Sequence, residues 1–363
     1  MSLAGHFCDG IDPEHLTNAR NERFATMDGL RGIAALAVVF FHSFDGAGFI
    51  QNAPLAVDFF FILSGFVIAF SYNEKMRQGM TAYAFGRRRL IRLYPMFLMG
   101  SALGIVVACL HHLTNRGAET IEEIAASSLL SLFAIPYLVP GSLSPYIFSF
   151  NPPAWSLFFE AVANIAYAVL ARLITPTVLV VISVFSLAIL VGWTGLGGNL
   201  KTNFLAGFAR IALGFSIGML IAHLYRKGQL PRVRVHPLML AAVIVVLFAA
   251  PVTFGGMWLI PVFALLASIV AAGTERCPEW LVGPCEFLGL ISYPVYIIHW
   301  STLYVATWFG KLIGLDGRLY VVVALLHLVA IPFIGYVAAR FYETPIRSWL
   351  TAKGRKSRST ISS

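Results

Sequence analysis

Apolar runs of about 20 residues, separated by short polar stretches, follow one another along most of the chain. A helix rising 1.5 Å per residue needs about 20 such residues to cross a bilayer. On that measure spans are predicted near 30–49, 54–73, 90–111, 153–172, 176–194, 203–223, 238–254, 257–273, 286–309 and 319–340. The stretch 121–139 is weaker, interrupted by Pro136 and Pro140. It reads as a further span or as a re-entrant or interfacial segment. The pattern predicts an all-α integral membrane protein, with about ten transmembrane helices around an intramembrane polar cavity. Residues 1–24 form an N-terminal segment, 25–350 the transmembrane domain, and 351–363 a basic tail.

Composition agrees. Of 363 residues 58% are hydrophobic and 12% charged, and the mean hydropathy is +0.78. Soluble domains carry about 25% charged residues, so polar surface is too scarce here to cover a globule of this size. The net charge of +9 comes from basic residues at the ends of apolar runs, a topology signal rather than a nucleic-acid footprint. No nucleic acid is expected as a partner.

Charge also orients the chain. Arg20 and Arg23 place the N-terminus in the cytoplasm, and Lys75, Arg77, Arg87, Arg88, Arg89 and Arg92 then fill the second-to-third loop. If 121–139 spans, Arg226, Lys227, Arg232, Arg234 and the tail from Lys353 to Arg358 fall outside. If it does not, all fall inside, and Arg116, Lys201, Lys311 and Arg318 face out. The positive-inside rule favours ten spans with both termini cytoplasmic. No internal repeat of the kind that builds many transporters is evident, no soluble domain is expected, and the first apolar stretch is too polar for a cleavable signal. Cys8, Cys109, Cys277 and Cys285 lack metal-type spacing, and no metal is expected; a bridge could close the loop between Cys277 and Cys285.

Several spans carry polar residues that hydrocarbon disfavours. From Arg31 to His42 the first helix climbs roughly 16 Å through about three turns, so both side chains share one face with Asp28. With helices running from surface to surface, His42, Glu160, Arg210, His299 and His327 reach similar depth, and Asp58 lies a turn nearer the outside. Intramembrane ionisable groups face a cavity, pair with one another and mark function. The blander readings are a packing histidine at His42, a Glu160–Arg210 ion pair, an interfacial His299 and a structural His327.

At these residues the chain resembles the membrane acyltransferase-3 family. "MDGLRGIAALAVVFFH" is similar to its first helix, with arginine and histidine ten residues apart, and "AVDFFFILSGFVIAF" to its second. "FGRRRLIRLYPMF" resembles the basic start of the third helix, and "PAWSLFFEAVANIAY" the Trp-Ser-Leu-x-x-Glu element. "ISYPVYIIHW" and "FYETPIRSWL" match the penultimate helix and the closing Glu-x-Pro. The resemblance covers about residues 24 to 350. Here Ala161 to Ile165 replaces the Glu/Gln-Phe-Tyr that follows the glutamate in many members.

The resemblance implies transfer of an acyl group, most simply acetyl, from a coenzyme A thioester to a hydroxyl of an extracytoplasmic or lipid-linked glycan. Acetyl-CoA is then the donor substrate, with membrane lipids around the protein. Low dielectric keeps His42 neutral, able to deprotonate the hydroxyl or to carry the acyl group itself. Glu160 or Asp58 could orient its ring, with Glu160 favoured on depth and on the motif. Arg31, Arg88, Arg89 and Arg92 would meet the donor's phosphates at the cytoplasmic mouth, some 20 Å from Glu160. Their other reading is a topology signal or contact with anionic lipid. Ser64 and Gly65 would admit the pantetheine arm or else pack helices. Arg210, Tyr293, His299 and Trp155 complete the expected acceptor site or cavity. A transporter, or an acyltransferase for a lipid, peptide or small molecule, is the competing class.

Overall fold

A computed structural model describes residues 13–44, 50–114, 120–140, 142, 144–231, 233–250, 256–271, 277–312, 314 and 318–359. Arg116, Arg232 and Cys8, which entered the sequence argument, lie outside the described residues. Among the described residues the structure is helical, built from α1 (Pro13–Ser43), α2 (Ala56–Arg77), α3 (Ala82–Leu113), α4 (Ile121–Leu132), α5 (Ala154–Leu170) and α6 (Pro176–Ile189). The second half adds α7 (Ala206–Arg226), α8 (Pro237–Ala249), α9 (Leu259–Ala271), α10 (Glu279–Leu312), α11 (Arg318–Val337) and α12 (Thr344–Ser359). A π-helical turn, Ala338–Glu343, joins α11 to α12 without a break. Among the described residues seven helical runs are long and apolar enough to cross a membrane, and α5, α8 and α9 are shorter apolar helices. Together they make the ten of the hydropathy pattern, seven plus three.

Side-chain pairings give the helix directions. Arg31 meets Gly289 and Ser292 while His42 meets His299, so α1 and α10 run parallel. Asp58 meets Arg210 and Arg226 donates to the carbonyls of Ala69 and Phe70, so α2 and α7 run parallel too. Helix α3 follows α10, because Tyr293 donates to the Leu93 carbonyl and Ser301 to that of Gly100. Helix α5 opposes α3, with Arg89 on Glu160. Arg226 thus lies at the same end of the bundle as the α2–α3 turn, as ten alternating helices require.

The doubtful stretch 121–139 resolves into a re-entrant segment. Helix α4 has twelve residues, and α3 ends at the end of the bundle where antiparallel α5 begins, so the stretch between them returns without crossing. Thr120 caps it, and a reciprocal Glu123 completes the capping box. Its last turn reaches Tyr94, whose hydroxyl donates to the Leu132 carbonyl at 2.6 Å. The chain then turns back, bonding Tyr137 N–H to the Ile147 carbonyl at 2.8 Å and Ile147 N–H to that of Asn199 at 3.1 Å.

Two helix ends differ from the hydropathy reading. The first helix stops at Ser43, not at 49, so His42 occupies its last turn instead of lying seven residues inside. Gly46 and Gly48 follow in the sequence, and glycine disfavours continuation. Helix α5 begins deep in the bundle rather than at its surface. A Cβ on Gly104 would lie 2.1 Å from the Phe150 carbonyl oxygen, so the strand of chain before α5 runs against the backbone of α3. Beyond Gly104, α3 continues to Leu113, roughly 13 Å farther. Helix α12 carries on through the basic residues to Ser359.

Candidate active site

The deep start of α5 decides where Glu160 lies. From Phe150 to Glu160 the chain descends roughly 15 Å, and from Gly104 to Arg89 roughly 22 Å; a long arginine side chain closes the difference. Glu160 Oε1 accepts from Arg89 Nη2 at 2.7 Å and from the Ser64 hydroxyl at 2.8 Å. The expected separation of some 20 Å between Glu160 and the arginines is therefore wrong, and so is its expected partnership with His42. Helix α5 starts inside the bundle instead of at a membrane surface, which carries Glu160 deeper than its position in the chain suggests.

These residues line a cavity of about 370 Å³, together with Arg31, Arg92 and Tyr293. Its cations are mostly paired. Arg31 holds Asp28 at 3.0 Å, Arg89 holds Glu160, and Arg347 holds Glu343 at 2.9 Å. Arg92 lines the same wall without an ionic partner among the described residues. Glu286 lines it as well, so four arginines face four carboxylates, and what the site offers an anion is the one guanidinium, Arg92, that no salt bridge among the described residues occupies. Glu343 reaches the cavity from the π-helical turn, a distortion that often re-aims a side chain at a functional site. Arg88 is exposed and does not line the cavity, whereas Arg87 ties α3 to the Leu350 carbonyl at 2.7 Å.

Gly65 is not available to a ligand. A Cβ there would fall 2.1 Å from the Phe215 carbonyl oxygen, so its bare backbone serves the contact between α2 and α7. Ser64, one residue earlier, keeps its place on the cavity wall.

Asp58 cannot orient His42. Both its oxygens accept from Arg210, Nε to Oδ1 at 3.0 Å and Nη2 to Oδ2. Arg210 Nη1 also donates to the Gly197 carbonyl at 3.1 Å, and its guanidinium lies 5.1 Å from the Trp155 ring. This bidentate pair is buried and satisfied, and it joins α2, α5 and α7. The ion pair considered for Arg210 exists, but with Asp58 in place of Glu160. Neither Arg210 nor Trp155 lines the cavity.

His42 finds its partner on α10. Its Nδ1 lies 3.0 Å from His299 Nε2, and His299 Nδ1 lies 2.7 Å from the Tyr296 carbonyl. A carbonyl only accepts, so His299 Nδ1 carries a proton. With His299 neutral, its Nε2 is then an acceptor and His42 Nδ1 must donate to it. The remaining nitrogen, His42 Nε2, bears the lone pair. The two rings stack at 5.1 Å. His327, read as structural, bonds Thr302 at 2.9 Å and pins α11 to α10.

Tyr296 links the histidines to the cavity. It lines the cavity, its carbonyl receives His299, and its hydroxyl shares a 2.8 Å bond with Ser156. Hydropathy reading passed over Tyr296, Ser156 and Glu343, although all three stand inside the motifs quoted above.

A family model described as an acyltransferase domain, that of the acyltransferase-3 family, matches residues 24–337. Over 338 residues the chain is 28% identical to BcsY of Komagataeibacter xylinus, whose name proposes a membrane-bound transacylase; the match covers 85% of this chain and 82% of BcsY. It is 29% identical over 324 residues to the exopolysaccharide production protein ExoZ of Rhizobium meliloti (strain 1021), covering 84% and 91%. A protein of the picA locus of Rhizobium radiobacter shares 36% identity over 165 residues, 40% of this chain and 82% of that protein. No solved structure matches.

Proposed function

The chain belongs to the acyltransferase-3 family, and from that membership we propose that it is a membrane O-acyltransferase moving an acetyl group from acetyl-CoA to a hydroxyl of a polysaccharide or its lipid-linked precursor. The observation that carries the reading is the series His42–His299–Tyr296 carbonyl, which leaves His42 Nε2 as a base. The arginine-lined cavity, reached through Tyr296, fits the donor. Its mouth faces the end of the bundle that carries the α2–α3 turn, which the positive-inside rule assigns to the cytoplasm of a bacterial inner membrane.

The donor's phosphates would sit against Arg92 and the pantetheine arm would pass Ser64 toward Tyr296. His42 Nε2 removes the acceptor's hydroxyl proton as the oxygen attacks the thioester carbon. The carbon–sulfur bond breaks, and the proton passes from His42 to the leaving sulfur, releasing coenzyme A as the free thiol. Throughout, His42 Nδ1 donates to His299, which holds the ring in position as the imidazolium forms. Exopolysaccharide production, in the name of the Rhizobium meliloti relative, supports a glycan acceptor.

Purified full-length protein in nanodiscs, given acetyl-CoA and extracted glycan, should release free thiol, and mass spectrometry of exported glycan should lose an acetyl mass when the gene is deleted. Glycan translocation without thiol release would favour the transporter. An acetylated lipid or peptide with unchanged glycan would overturn the acceptor class.

A further inference from the structure

A second cavity, of about 190 Å³, lies on the far side of the histidine pair. Along α10 the two cavities follow one another. Tyr293 and Tyr296 line the first, Trp300 and Tyr304 the second, and His299 falls between them. The Trp300 ring stands edge-on to His42 at 5.1 Å, so one wall of this second space is a direct neighbour of the base.

We infer that this second cavity is the acceptor subsite, built to hold one uncharged sugar ring with a hydroxyl presented to His42. The inference rests on the O-acyltransferase reading for its role, and on the lining for its ligand class. Tyr146 and Trp300 meet at 5.8 Å, and Trp300 stacks on Tyr304 at 5.5 Å. Three aromatic rings offer the electron-rich faces on which the C–H groups of a sugar settle. Between them stand the hydroxyls of Ser144 and Ser149, able to donate to and accept from sugar hydroxyls, and that of Ser301, which gives its proton to the Gly100 carbonyl and is left to accept.

Charge separates the two spaces. Among the described residues lining the second cavity there is no lysine, arginine, aspartate or glutamate, and His111 is its one basic side chain, so it lacks the guanidinium groups of the first. The first has four arginines and four carboxylates, and Arg92, which no salt bridge among the described residues occupies, is left for a phosphate of the donor. With about half the volume, the second takes a single ring and leaves the rest of a glycan outside. The wall is also fixed in place. Lys201 N–H donates to the Pro145 carbonyl at 2.9 Å and Ile147 N–H to that of Asn199 at 3.1 Å, which ties Ser144 to Ser149 to the segment before α7, while the Tyr146 ring meets Trp300 of α10. The returning arm of the re-entrant segment therefore has a use: it supplies half of the acceptor site.

Titration calorimetry of the full-length protein in nanodiscs with the methyl glycosides of glucose, galactose and mannose tests this without requiring turnover. At least one should bind saturably. Tyr146→Ala and Tyr304→Ala should each weaken that binding tenfold or more, Tyr146→Phe and Tyr304→Phe should restore it, and coenzyme A affinity should stay at the parental value in all four. The inference is overturned if none of the three glycosides saturates the parent, if the alanine variants bind like the parent, or if the phenylalanine variants lose as much as the alanine ones. Failure of the O-acyltransferase reading would appear elsewhere, as absent thiol release with sugar binding intact.

Discussion

His42 on α1 donates from Nδ1 to Nε2 of His299 on α10 across 3.0 Å, although 257 residues separate them in the chain. The contact sets the tautomer of the base and ties it to the helix that lines both cavities. Removing the base by His42→Ala should lower turnover about 10²- to 10⁴-fold, with coenzyme A affinity unchanged because His42 does not line the arginine cavity. His299→Ala should also lower turnover, by freeing the ring to rotate. His299→Gln should recover much of it, since its carbonyl oxygen can still accept from Nδ1. Equal turnover in the alanine and glutamine variants of His299 would show that the bond does not position His42.

Arg92 is the cavity arginine with no ionic partner among the described residues, and it should answer directly to the donor. Arg92→Ala removes one charge-assisted contact of about 1.5–3 kcal/mol, or roughly 10- to 100-fold in coenzyme A affinity. Arg88→Ala should change nothing, because Arg88 is exposed outside the cavity. Calorimetry with coenzyme A separates the two, and equal losses would return the whole basic run to the role of a topology signal.

Gly65→Ala should weaken the protein rather than the donor site. The added methyl would press on the Phe215 carbonyl, and overpacking of this kind costs about 1–3 kcal/mol. A lowered melting temperature in detergent with parental donor KM is the expected pair of results. A raised KM with unchanged melting would put the pantetheine arm back at Gly65.

How much of this was legible beforehand follows from which quantities sequence carries. Hydropathy is a property of residues in a row, so the ten apolar helices could be read and the polar side chains within them singled out. Depth is a property of where a helix starts, and neither the stop at Ser43 nor the start of α5 beside Gly104 is written in hydropathy. Glu160 was accordingly placed in the wrong half of the bundle. Pairing is harder again. Asp58, Glu160 and Arg210 were all recognised as polar residues needing partners, yet only the fold assigns Asp58 to Arg210 and Glu160 to Arg89. Tyr293, Tyr296, His299, Trp300 and Tyr304 recur at helical spacing along α10, and that periodic face was the available signal for a path between the two cavities.

The re-entrant segment can be tested by sided cysteine labelling in a variant lacking Cys8, Cys109, Cys277 and Cys285. Leu113→Cys and Leu138→Cys bracket α4 and should label from the same face. Gln78→Cys and Gly228→Cys should label from the opposite one. Labelling of Leu113→Cys and Leu138→Cys from opposite faces would mean that α4 crosses, and the chain would then have eleven spans.

The pair Arg89–Glu160 separates stability from chemistry. Their side chains are 7% and 17% exposed, so each charge depends on the other for solvation that water would otherwise supply. Breaking a buried pair by removing one member costs about 3–5 kcal/mol, because the survivor stays buried and uncompensated. Glu160→Gln and Arg89→Met should each lower the melting temperature sharply. The double variant should recover part of the loss, since two uncharged side chains of similar size leave no orphan charge. Glu160→Gln has a second consequence. It leaves Arg89 as an additional unpaired cation beside Arg92, so the folded fraction should bind coenzyme A at least as tightly as the parent. Melting curves of the three variants, followed by coenzyme A titration below their transitions, read both effects. A double variant no more stable than either single one would show that the pair does not act as a unit, and weaker donor binding in Glu160→Gln would mean that the carboxylate itself touches the donor.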